Sequence, residues 1–134
     1  MKTTPRSVVM WLVALLLPVF LTSCDSKSDD IVGKWTYRAY HQGIGIDGVD
    51  TYYKGGKGNY SGTITTDNGN RVFIVGSFTW SIDGDQLHST ITSSNVPQLI
   101  PVGFTSVDNI ISPSLSGDTI VLEDDGIRTT YHRE

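Results

Sequence analysis

The chain of 134 residues has one cysteine, Cys24, so it has no partner with which to close an internal disulfide. It has no surplus of basic residues: 10 Lys and Arg stand against 14 Asp and Glu, for a net charge of −4. That balance argues against nucleic acid as a partner and against docking on anionic lipid by charge. Beyond Cys24 no stretch keeps a 3.6-residue apolar period, which argues against a helical fold. Signatures of catalysis are missing too. No serine occupies a Gly-x-Ser-x-Gly elbow. His41, His88 and His132 have no second histidine or cysteine at i+2 or i+4 to clamp a metal. Asp47, Asp50, Asp67, Asp83, Asp85, Asp124 and Asp125 do not follow the ligand spacing of a calcium loop, and they read as turn formers. The expectation is a protein without catalytic residues, bound metal or cofactor, and so not an enzyme.

What is present begins at the N-terminus. Lys2 and Arg6 precede the apolar run Val8 to Leu21. That run is shorter than the about 20 residues a helix needs to cross a bilayer core, and with its positive start it reads as a secretory signal. It ends in Leu21-Thr22-Ser23-Cys24, which resembles the lipobox of bacterial lipoproteins: aliphatic, small, small, cysteine. The resemblance implies cleavage before Cys24, a diacylglycerol thioether on its sulfur and N-acylation. Two or more acyl chains meet the requirement for stable anchoring, at about 0.8 kcal/mol per buried CH2. Residues 1–23 are then the signal peptide and 24–30 a lipidated, flexible tether, since Asp25-Ser26-Lys27-Ser28-Asp29-Asp30 has no apolar side chain. Loss of residues 1–23 removes Lys2 and Arg6 and no acid, which takes the net charge from −4 to −6. The acidic tether resembles the surface-export signal of Bacteroidota lipoproteins, with Ser28 interrupting its order. Asp25 next to Cys24 is instead the inner-membrane signal of enterobacterial sorting. The expected location is the bacterial cell envelope at the outer membrane, with surface display an open alternative.

From Ile31 to Glu134 roughly 100 residues remain, enough for one domain. Short β-rich runs alternate there with Gly, Asn and Asp turns. Ile31 to Tyr40 alternates as a half-buried strand, with Trp35 and Tyr37 on one face. Residues 42–48 read as a loop, followed by strands at Val49–Lys54 and Gly58–Thr66. Asn68-Gly69 has the composition of a type I′ hairpin turn. Arg71 to Ile82 is the clearest strand: Val72, Ile74, Gly76, Phe78, Trp80 and Ile82 share one face, with a bend or bulge expected at Gly76. Phe73 and Val75 interrupt the other face, as if the strand's start were covered on both sides. Strands at Gln86–Ser93, Phe104–Ile111, Thr119–Glu123 and Ile127–Arg133 complete the series. Consecutive hairpins of this kind suggest an all-β, antiparallel up-and-down meander, and closure would remove its edges.

Gly33-Lys34-Trp35 at the head of the first strand resembles the lipocalin Gly-x-Trp signature. Trp80-Ser81-Ile82-Asp83-Gly84-Asp85-Gln86-Leu87 and Gly117-Asp118-Thr119-Ile120-Val121-Leu122 resemble the short lipocalin-like domains of Bacteroidota lipoproteins. The resemblance implies a small eight-stranded barrel over residues 31–134, with Trp35 plugging its closed end and Arg133 packed over the indole. The chain is shorter than a typical secreted lipocalin and lacks that family's disulfide. Small barrels are often filled by their own side chains, so the fold alone assigns no ligand.

Two functions therefore stand side by side. One is a barrel holding a small apolar or amphipathic ligand among Trp80, Phe78, Tyr60, Tyr37 and Tyr53. The other is a filled barrel whose loops dock a second envelope protein. Residues 95–102, with Val96, Leu99, Ile100 and Val102, are apolar for a loop and carry Pro97 and Pro101. They read as a lid or partner loop, or as a loop folded back to cap the core.

Overall fold

The structure, a computed structural model, describes residues 28–134 apart from residue 113. The signal segment and Cys24 lie outside the described residues. Eight strands follow in order: β1 (Gly33–His41), β2 (Ile44–Tyr53), β3 (Lys57–Thr65), β4 (Arg71–Asp83), β5 (Gln86–Ser94), β6 (Thr105–Ile110), β7 (Thr119–Asp124) and β8 (Ile127–Arg133). Each pairs antiparallel with the next, and β8 returns to β1, so the meander closes into a barrel. The eight-stranded antiparallel fold is the one the strand periodicity and the Gly-x-Trp resemblance called for.

The wall is uneven. β1 and β8 meet only at Trp35↔Arg133, Thr36↔His132 and Tyr37↔Tyr131, and β6 and β7 only at Asn109↔Glu123 and Ile110↔Leu122. Between β4 and β5 the register shifts at Ser77/Phe78, next to Gly76. A bulge there bends the long β4 around the barrel.

Inside, glycines face aromatic rings across neighbouring strands: Gly48 opposite Tyr37, Gly58 opposite Phe78, and Gly76 opposite Tyr60. A Cβ at each of these glycines would run into the ring of its partner. The missing side chains are what let three large rings lie inside a narrow barrel, with the rings covering the bare backbone in return.

Several expectations are corrected. Ile44 to Gly48 belongs to β2, because the chain reverses earlier, at Gln42-Gly43, where both residues have positive φ (51° and 82°). Positive φ at both central residues is what a type I′ turn requires, and Asp125-Gly126 repeats it (52° and 80°). Asn68-Gly69 does not, since only Gly69 is left-handed, and the loop there is closed by Thr66 N donating to Asn70 O. Phe73 and Val75 are exposed on the outer face (73% and 54%), so the start of β4 is covered on one side only. Ile31 is not in β1, and the last part of the tether is not free: residues 28–31 form a helical turn. Ile31 is fully buried, and the Asp30 carbonyl is held by Arg133.

Candidate ligand-binding cavity

One end of the barrel is sealed. Trp35 is fully buried, and its indole N–H donates to Ile31 O at 2.8 Å. The Arg133 guanidinium carbon lies 4.2 Å from the centroid of the Trp35 ring. Its nitrogens donate to the carbonyls of Val32 (3.1 Å), Asp30 (2.8 Å), Leu115 (3.1 Å) and Gly117 (3.3 Å). One cation thus ties the N-terminal turn, the β6–β7 connection and the end of β8 over the indole, and it adds a cation–π contact. Gly33 is needed for this approach: its φ is 137°, and a Cβ there would stand 2.9 Å from the Arg133 guanidinium.

Trp80 belongs to this packed layer and does not line the cavity inside the barrel. Its N–H donates to Lys57 O at 2.8 Å, and Tyr52 meets it edge-on at 5.5 Å. Tyr52 also packs edge-on against Phe78 at 5.3 Å. Tyr53 points outward and is 47% exposed, so it lines nothing. Its neighbour Tyr52 takes the inward place, because a shift of one residue moves a strand position to the other face.

The barrel is not filled. A cavity of about 380 Å³ opens inside it. Its volume is at the small end of the range for pockets that hold small molecules, roughly 300–1,000 Å³. The apolar wall comes from Ile46 on β2, Ile64 on β3, Ile74 and Phe78 on β4 and Ile91 on β5. Leu99 and Ile100, from the loop between β5 and β6, complete it. Val96 only packs against the core, and Val102 faces solvent at 58% exposure, so two of the four apolar loop residues reach the cavity and two do not.

The polar lining is Tyr37, Asp50, Tyr52, Tyr60, Ser89 and Ser106. Tyr60 donates to Ser93 O at 3.2 Å. The Asp50 carboxyl and the Tyr37 and Tyr52 hydroxyls have no hydrogen-bond partner among the described residues. Asp50 is no turn former: it sits in mid-β2, paired with Trp35 on one side and Tyr60 on the other. Burial first, and the charge of Asp108 second, push its pKa from 3.8 up to about 7. Asp108, of the same parity as Ser106 on β6, is raised to about 6 by burial and by Asp124. Burial and the Asp50 charge also push the phenols of Tyr37, Tyr52 and Tyr131 upward, so all three stay neutral and able to donate. Tyr37 and Tyr131 are in contact, with ring centroids 4.8 Å apart.

Among the described residues no Lys, Arg or His lines the cavity. His41, His88 and His132 are not gathered into a metal-binding group among the described residues. His88 lies on the outer face of β5, between the inward Leu87 and Ser89, with its Nε2 buried and without a partner.

The sequence reading missed Asp50 and Tyr52. The signal for both was the parity of β2: extended back to Ile44 and paired with β1, it places Ile46, Gly48, Asp50 and Tyr52 inward together.

Comparison with solved structures finds a likeness to a lipocalin-like protein from Bacteroides uniformis, with a TM-score of 0.48 and 12% identity, over 78% of this chain and 99% of that one. An uncharacterized protein from Bacteroides eggerthii is similar with a TM-score of 0.44 and 11% identity, again over 78% of this chain and 99% of that one. No protein-family model matches the chain, and no curated protein matches it.

Proposed function

We propose that this chain is a lipid-anchored binding protein of the bacterial cell envelope that holds a small amphipathic molecule inside its barrel. The observation that carries the reading is the cavity itself: an apolar wall around polar groups that no described side chain satisfies. Polar groups that face an otherwise apolar cavity orient a ligand with one polar end. The role is binding, with no reaction assigned.

The anchor rests on Leu21-Thr22-Ser23-Cys24. From Cys24 to Ser28 the chain spans at most about 14 Å when fully extended. The helical turn at residues 28–31 packs at the sealed end, beside Trp35 and Arg133. A lipid on Cys24 would therefore hold the sealed end near the membrane. The turn at Gln42-Gly43 and the loop carrying Leu99 and Ile100 lie at the opposite end, so the cavity would open toward the aqueous side.

A second reading, docking of another envelope protein, draws on the exposure of Leu99, Val102 and Phe104 (52%, 58% and 57%) along one connection. Native mass spectrometry of protein taken from its own envelope separates the two. A co-purifying small molecule supports the carrier. A bound protein with the barrel empty favours the docking module and defeats the carrier.

A further inference from the structure

Resting on the carrier reading, we infer that the cavity selects a ligand bearing a protonated amine, with the ammonium seated against the Asp50 carboxyl among Tyr37, Tyr52 and Tyr60 and the hydrocarbon part along Ile64, Ile74 and Ile91.

The sign of the charge inside is the first argument. Asp50 lines the cavity, Asp108 lies close enough to raise its pKa, and among the described residues no basic side chain lines the cavity. Arg133, which lies over Trp35 at the sealed end, has its guanidinium committed to carbonyls of Asp30, Val32, Leu115 and Gly117. A carboxyl without a counter-ion in an apolar interior is costly to keep, and in the empty barrel it holds its proton up to about pH 7. An ammonium group removes that penalty by supplying both a countercharge and donors.

Geometry supplies the second argument. An alkylammonium has three donors, and the groups facing the cavity without partners are acceptors of the right kind: the Asp50 carboxylate and the Tyr37 and Tyr52 hydroxyl oxygens. Tyr37, Tyr52 and Tyr60 line the same cavity, and aromatic rings attract cations.

Rival ligands fit less well. A fatty acid would bring a third carboxylate to Asp50 and Asp108 with nothing to neutralise it. An alcohol can hydrogen-bond but gains nothing from charge. A metal ion finds no group of three ligating side chains among the described residues.

The test uses the whole chain from residue 24 onward, carrying Cys24→Ser so that no detergent competes, and titrates it calorimetrically at pH 8 with octylamine, octanol and octanoate. Octylamine is expected to bind at least tenfold tighter than octanol, with octanoate the weakest. In Asp50→Asn, whose folding is checked by circular dichroism, the preference for octylamine over octanol should fall to threefold or less. Octanol or octanoate binding as tightly as octylamine overturns the inference and leaves the carrier reading standing. Survival of the amine preference in Asp50→Asn does the same. If none of the three binds, both readings fall.

Discussion

Replacing Asp50 with Asn should stabilise the protein, and by an amount that depends on pH. In the unfolded chain the carboxyl titrates near 3.8, whereas in the barrel burial and the Asp108 charge push it up to about 7. Between those values the folded state holds a proton that the unfolded state has released. Stability therefore falls as pH rises from about 4 to about 7, and the loss is complete above that. At about 1.4 kcal/mol per pKa unit, ionised Asp50 costs the native state up to about 4 kcal/mol at pH 8. Asparagine has no charge to desolvate. The variant should match the native protein at pH 4 and exceed it increasingly toward pH 8. For a domain of about 100 residues 1 kcal/mol moves Tm by roughly 4–8 °C, so a gap of 10 °C or more is expected at pH 8. Asp108, raised to about 6, adds a slope of the same sign to both proteins. The phenols of Tyr37, Tyr52 and Tyr131, all pushed upward, stay neutral throughout and add none. Thermal unfolding followed by calorimetry at half-unit steps from pH 4 to pH 8.5 reads the difference directly. Parallel curves for the two proteins would refute the reasoning. So would a variant less stable at pH 8, because the carboxylate would then have a stabilising partner.

Other outcomes follow from the same geometry. Arg133→Ala removes charge-assisted hydrogen bonds to four carbonyls and the contact over Trp35, and should cost about 3 kcal/mol or more in urea melts. Arg133→Lys should recover less than half of that, since a point charge cannot reach carbonyls in several directions. Gly76→Ala places a methyl group against Ser93 O and the Tyr60 ring, and about 1–3 kcal/mol of stability should be lost to the displacement. Ser106→Trp should fill the cavity and weaken octanol binding more than tenfold, with an unchanged far-ultraviolet spectrum showing that the barrel persists. Cys24→Ser in the expressing cell should move the protein from the membrane fraction to the soluble one; continued membrane association would remove the lipid anchor from the proposal.

The parts of the fold legible in the chain were those with long, unambiguous alternation. Over the 13 residues of β4, Ile74, Phe78 and Trp80 repeat on one face often enough to leave a single orientation, and all three are buried. β2 was harder. It contains two adjacent tyrosines, two glycines and two aspartates, and when its start is set at Val49 the parity is easily assigned one residue out. That slip put Tyr53 inside in place of Tyr52 and left Asp50 among the turn residues. Trp80 was on the correct face but at the wrong height: position along the barrel axis depends on how far each strand is staggered against its neighbours, and no single strand carries that information. Phe73 and Val75 show the converse, apolar residues on an outer face that alternation alone could not tell from a covered one.

Alternation of apolar and polar side chains, with turn residues at the right intervals, already specified a series of consecutive antiparallel strands, because strand and hairpin are local or nearest-neighbour properties of the backbone. Closure pairs Trp35 with Arg133 from opposite ends of the domain and was implied only by the Gly-x-Trp resemblance. Whether the barrel would be solid or hollow was not a property of any segment. It is the small remainder between the space enclosed by eight strands and the volume of every side chain pointing into it, and glycines opposite aromatic rings shift that remainder as much as the large residues do. The same closure brought Asp50 and Asp108, far apart in the chain and ordinary in sequence, into one water-poor interior. Only there does a carboxyl without a counter-ion acquire the raised pKa, and the appetite for a cation, on which the proposed binding depends.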